Sequence, residues 1–151
     1  MKKTLLLVIL LGCLHLAMSQ SDKMVQWSYS SKKIGDKTFE VHMTANISGD
    51  YHLYAQDPGG EGPIGTTFTF VKTPLLILDG KVKESGNLTT KYETAWGHDV
   101  KYYLKTVDFV QIVKIKGNAK TNLSGRVEFM VCNEKQCLPP GHAEIKVSVG
   151  G

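Results

Sequence analysis

Long hydrophobic stretches are almost absent from this 151-residue chain. The one clear apolar run, Leu5 to Leu11, lies at the N-terminus. It is far shorter than the roughly 20 apolar residues a membrane-spanning helix needs. Two lysines precede it and small residues follow, the order of a secretory signal peptide. The rest of the chain is expected to be soluble. Charge of one sign is also missing: 18 basic residues stand against 14 acidic ones. Removing Lys2 and Lys3 with the signal leaves 16 against 14, and no basic cluster is interleaved with aromatics. Nucleic acid is therefore not an expected partner. Internal repeats, low-complexity linkers and a helical period are all lacking. One domain, without coiled or solenoid organisation, follows from this.

Cysteine is scarce too, with three residues, Cys13, Cys132 and Cys137. Two processing sites compete near the first. Ala17-Met18-Ser19 is a small-x-small site, so residues 1–19 are read as the signal and 20–151 as the domain. Leu10-Leu11-Gly12-Cys13 resembles a lipoprotein box, which would put a lipid on Cys13 and tie the domain to a membrane. Cleavage after Ser19 leaves only Cys132 and Cys137, and in an oxidising compartment a disulfide becomes the default. Asn46, Asn87 and Asn122 each begin an Asn-x-Ser/Thr triplet, an acceptor only in a eukaryotic secretory route, whereas the Met-Lys-Lys start looks bacterial.

What the chain does have is alternation. VQWSYS, FEVHMTA, YHLYAQ, TTFTFV, KYYLKT, RVEFMVC and AEIKVSV put apolar residues at every second position, with many aromatic and β-branched side chains. DFVQIVKIK carries apolar residues in both alternating sets, as a central strand does. Ile34-Gly35-Asp36, Ser48-Gly49-Asp50, Asp79-Gly80 and Lys116-Gly117-Asn118 read as turns that carry Gly where positive φ is needed. Two connections look longer, Asp57 to Gly65 and Asn87 to Asp99. About nine strands at this spacing predict an all-β, immunoglobulin-like antiparallel β-sandwich, with a closed barrel as the alternative.

The pair in VCNEKQCLPP leaves three readings open. A static staple would close a very short loop and add only about 2 kcal/mol. Zinc would need two further ligands, and His98 and His142 do not complete a standard spacing. A redox pair needs an accessible sulfur and a partner thiolate. Pro139 and Pro140 cannot donate to a ladder, which places the segment at an edge or in a loop.

VCNEKQCLPP resembles the active-site segment of the N-terminal periplasmic domain of the thiol:disulfide interchange protein DsbD. GDYHLYAQD, PIGTTFTF and ETAWGHDVKYY are similar to further segments of that family in the same order. The resemblance runs from about Trp27 to Val149. It implies that Cys132 and Cys137 form the redox pair, Cys137 meeting partners and Cys132 resolving the mixed disulfide. It implies a cap loop around Trp96, with Glu93 and Ala95 beside it, and Tyr54 and Tyr51 as aromatics near the sulfurs. Ala95 departs from the family, which often has a bulky aromatic there, and the cysteine spacing is one residue shorter than in common versions. No cofactor or metal is implied. The implied partners are thioredoxin-like periplasmic proteins and a separate membrane thiol reductase. The implied location is periplasmic or secreted.

Overall fold

The computed structural model describes residues 20–118 and 120–150. Residues 1–19, read from the sequence as a signal segment and including Cys13, lie outside the described residues. The fold is an immunoglobulin-like antiparallel β-sandwich, as the alternation predicts. A five-residue helix, α1 (Gln20–Met24), leads into β1 (Val25–Gly35) and β2 (Thr38–Ile47). Then follow β3 (His52–Tyr54), β4 (Thr67–Phe70), β5 (Leu76–Glu93) and β6 (His98–Ile115). β7 (Thr121–Phe129), β8 (Val131–Cys132) and β9 (Gly141–Val149) complete the chain.

One sheet orders its strands β1-β2-β6-β3-β8, with β5 on the far edge of β6; the other is β4-β7-β9. β6 is the central strand expected of DFVQIVKIK. It pairs β5 along one edge. Along the other it pairs β2 through Thr106–Lys114 and β3 through Tyr102–Leu104. Between these two partners Lys105 takes a positive φ of 66°. The register of β2 and β3 on one long strand thus sets a main half and a small half of the same sheet.

Alternation fills the space between the sheets. Phe39, Val41, Met43 and Ala45 of β2 are all buried, and Leu123, Val127 and Phe129 of β7 face them. Trp27 bridges the layers, with ring centroids 5.8 Å from Phe109, 5.6 Å from Phe129 and 6.1 Å from Phe68. Each such aromatic or aliphatic side chain contributes roughly 1.5–3 kcal/mol by leaving water.

Four expectations change. Asn87–Asp99 is not a long loop: the ladder continues to Glu93↔His98, so only Thr94–Gly97 turns. Asp79-Gly80 is not a strand end but an irregularity inside β5. There the buried Gln111 donates through Nε2 to the Asp79 and Gly80 carbonyls, at 3.3 and 3.4 Å, and holds the bulge. In the first turn the left-handed residue is Lys37, at φ 53°, and not Gly35. RVEFMVC is not one strand either. Its first part pairs β9 in the small sheet, and beyond Met130 the chain crosses to pair β3 in the large one. Alternation is blind to such a crossing, because the side chains keep their period while the partner changes.

Candidate functional site

β3 carries the site because its two faces do different things. Leu53, opposite Tyr103 on β6 and Val131 on β8, points into the main core. Its neighbours have the opposite parity. Tyr54 pairs Tyr102, and His52 pairs Cys132. Tyr54, Tyr102, Cys132 and Val100 form a second, smaller cluster, with Trp96 and Met130 packed against it. Period-two geometry thus places a minor apolar layer on the outer face of the sheet. A one-residue slip of β3 would exchange the two layers.

Cys132 and Cys137 are joined by a disulfide across an isolated antiparallel bridge, with Cα atoms 4.0 Å apart. The two sulfur-bearing residues are not equivalent. Cys132 is 2% exposed, whereas Cys137 is exposed. The turn between them is organised by Asn133. Its Oδ1 accepts from the backbone N–H groups of Lys135 and Gln136, at 3.0 and 2.9 Å. Its own N–H donates to the Gln136 carbonyl at 2.9 Å, and the Leu138 N–H donates to Val131 at 3.0 Å. This is an Asx-type turn closed by backbone bonds on both sides. From outside, Asp50 accepts from the Asn133 amide, and the Tyr51 hydroxyl accepts from Gln136 Nε2 at 2.9 Å. Pro139 is fixed as well: Ser21 Oγ donates to its carbonyl, and Asp22 accepts from the His142 N–H. The short helix α1 therefore braces the segment just after Cys137.

A cleft of about 270 Å³ opens beside the bond. Both cysteines, His52, Tyr54, Glu93, Ala95 and Trp96 line it, together with the Asn133–Gln136 turn. The structure brings together along it Trp96, Glu93, Ala95 and Tyr54, four of the residues singled out in the sequence. Tyr51 is not on its wall; it acts from behind, through Gln136. The β5–β6 hairpin tip forms one side. Gly97, at φ 75°, takes the left-handed step that lets its N–H and that of Trp96 both reach the Glu93 carbonyl. Trp96 then lies half-buried, its Nε1 donating to the Tyr54 hydroxyl at 3.1 Å. Trp96 packs against the layer that holds Cys132, and Cys137 is exposed.

The Asp57–Gly65 connection is the seat of this hairpin tip. A Cβ on Gly62 would lie 2.2 Å from the Trp96 ring, and one on Gly60 would lie 2.7 Å from the His98 ring. Both glycines have positive φ. His98 locks the seat, with Nδ1 2.8 Å from the Asp99 carbonyl and Nε2 2.8 Å from the Glu61 carbonyl. Two carbonyl acceptors suit an imidazolium, which has two donors, and they raise the His98 pKa above its ordinary 6.5. Because the folded value is raised, the doubly donating lock is complete below about 6.5 and is lost as pH rises through the folded value. Amide protection factors at Thr94–Gly97, taken relative to the base-catalysed intrinsic exchange, should fall over that range, and His98→Gln should remove that fall. Protection factors that stay constant between about pH 5 and about pH 8 would rule the lock out. Both His98 nitrogens are thus spent on backbone. Among the described residues no group of three or more His, Cys, Asp or Glu could hold a metal.

Electrostatics around the bond are mixed. Lys91 on β5 pairs Glu134 of the cysteine turn at 2.9 Å, and Glu93 lies 3.9 Å from the same ammonium. The hydrogen bond to Lys91 lowers the Glu134 pKa. Burial raises the phenols of Tyr54 and Tyr102, so both stay protonated beside the sulfurs at neutral pH.

Comparison with known proteins places this arrangement. The family model described as "Thiol:disulfide interchange protein DsbD, N-terminal" matches residues 20–149. The chain belongs to the DsbD N-terminal domain family. No curated protein matches it by sequence. Solved structures that share its fold include the following two. The N-terminal periplasmic domain of ScsB from Proteus mirabilis has a TM-score of 0.59 at 16% identity; the match covers 83% of this chain and 47% of that one. The reduced DsbD N-terminal domain of Neisseria meningitidis has a TM-score of 0.55 at 18% identity, covering 85% and 88%. The chain thus spans about half of the ScsB domain and most of the DsbD one.

Sequence reasoning missed the wall made by the Asn133–Gln136 turn, and it missed His52. Its signal was present: it shares the parity of Tyr54 in YHLYAQ. Only the β3–β8 register places it opposite a cysteine.

Proposed function

We propose that this DsbD-family domain is a periplasmic thiol–disulfide exchange carrier, taking electrons from one thiol protein and passing them to another through Cys132 and Cys137. The observation that carries the reading is the asymmetry of the pair. A bond between one exposed and one buried cysteine can be attacked from solvent at Cys137, while Cys132 is kept for the internal step. A donor thiolate attacks Cys137, the Cys132–Cys137 bond breaks, and Cys132 leaves as a thiolate. A second donor thiol then releases the dithiol form. The reverse sequence reduces an oxidised acceptor. Thioredoxin-like proteins suit both roles, and a separate membrane thiol reductase suits the supply of electrons. The Trp96 tip acts as a partial cap that narrows the approach to the Cys137 side, and Glu93 disfavours a free thiolate on the covered side. No cofactor is required, because the cysteines themselves carry the electron pair.

A staple role has less to do here. The Asn133 turn and the Leu138–Val131 bond already close the loop, and closure by the disulfide adds only about 2 kcal/mol. The reduction potential separates the two. A carrier should equilibrate with glutathione near about −200 mV, and a value below about −300 mV would show a static bond.

A further inference from the structure

We propose that His52 is the proton acceptor of the Cys132 thiol, and that the imidazolium it becomes holds the Cys132 thiolate during exchange. The inference rests on the exchange reading above and assigns a further residue to that chemistry.

Three features place His52 there. It is the direct partner of Cys132 across the β3–β8 ladder, so the two side chains share a face. It lines the same cleft as both cysteines. It is also 6% exposed, and its Nε2 is buried without any hydrogen-bond partner. A buried orphan nitrogen is costly and rare in a native fold. An intact disulfide has no S–H to offer. Opening the bond creates the missing partner in the same side-chain layer.

The surroundings suit a base that is idle in the disulfide form. His52 stacks on Tyr102 at 4.2 Å and meets the edge of Tyr54 at 5.1 Å. Both phenols stay neutral at pH 7, as burial raises them. Burial first, opposed by Glu134 and assisted by Lys91, lowers the His52 pKa to about 4. Glu93, on the opposite wall, is already beside Lys91. The ring is therefore neutral and able to accept a proton. A thiolate generated next to it is an opposite charge at short range, which raises the imidazolium pKa.

The step balances. With a partner sulfur joined to Cys137, the Cys132 S–H gives its proton to the imidazole. The thiolate attacks Cys137 Sγ, the Cys132–Cys137 bond forms, and the bond from Cys137 to the partner breaks. The departing partner thiolate takes up a proton in turn, as the imidazolium returns to neutral. The partner is reduced, and the cysteine pair is oxidised by two electrons.

Two measurements test this without a protein partner, so they stand apart from any failure to find one. In the first, the His52 ring is titrated by NMR in the disulfide and dithiol forms of the full chain. The apparent pKa should rise by about three units on reduction, from about 4 to near neutrality, because a smaller rise would leave the ring unprotonated beside the thiolate at pH 7. In the second, the dithiol form is mixed with Ellman's reagent, which loads the exposed Cys137. Release of the second thionitrobenzoate then reports attack by Cys132. His52→Phe, which keeps the ring stack, should slow that release at neutral pH by about tenfold or more and move its pH profile up to that of an ordinary thiol. An unchanged ring pKa, or an unchanged release profile in a folded variant, overturns the proposal. Should the variant not fold, the titration of the native protein decides alone.

Discussion

Cys132→Ala should convert the domain into a covalent trap. An oxidised partner would stay attached: the Cys137 thiolate attacks one sulfur of the partner's disulfide, the partner's other sulfur leaves as a thiolate, and the domain's own sulfur that resolves the link is gone. In the native protein that sulfur is an intramolecular nucleophile, with an effective concentration on the order of molar or more. External thiols at millimolar levels are weaker competitors by about a thousandfold, so the mixed disulfide should last correspondingly longer. Cys137→Ala should give the mirror result. The remaining Cys132 is 2% exposed and enclosed by Tyr54, Tyr102 and Val100. It should capture no partner and should alkylate slowly, with exchange abolished. Mass spectrometry of trapped complexes from periplasmic extract reads both outcomes. Equal capture by the two single variants would contradict the assignment of roles, and no capture by Cys132→Ala would end the carrier reading.

Gly62→Ala should unseat Trp96. The glycine sits at φ 125°, a conformation that L side chains rarely adopt, and an added Cβ would lie 2.2 Å from Trp96 Cε3 and 2.7 Å from Cζ3. Backbone strain of about 1–3 kcal/mol adds to overpacking of about 1–3 kcal/mol, so a total of about 2–6 kcal/mol is expected. That is a large share of the roughly 5–15 kcal/mol that holds a domain folded. The least costly relief is for the ring to leave, because Trp96 is already half-buried and stands at a hairpin tip. The Trp96–Tyr54 hydrogen bond would then be lost. The indole N–H resonance of Trp96 should shift, and reduction of the disulfide by dithiothreitol should quicken. If the resonance and the reduction rate both match the parent protein, the glycine is not the seat of the cap.

Much of this architecture is legible in the chain because burial and period coincide. FEVHMTA and AEIKVSV alternate cleanly, and their apolar sets face the core. The Cys132–Cys137 segment stands out for a different reason: two thiols, a short turn and two prolines have few uses together. Asn87, Gly97 and Asp99 are turn-forming residues, so Asn87–Asp99 reads as a long connection in the sequence alone. Pairing with the long strand β6 keeps the intervening segment extended. The crossing at Met130 leaves no trace in alternation at all.

By itself, the sequence determines the sandwich class, the disulfide pair and the candidate residues around Trp96. Those properties follow from local chemistry and a period of two. The tertiary structure decides which face of β3 joins the core and which becomes the cleft, since both faces of YHLYAQ are apolar enough for either. It decides that Cys132 is buried and Cys137 exposed, through the switch of sheets at Met130 and the Asn133 turn. It also brings His52 opposite Cys132, 80 residues away in the chain, because strand register is a property of pairs and no single segment encodes it.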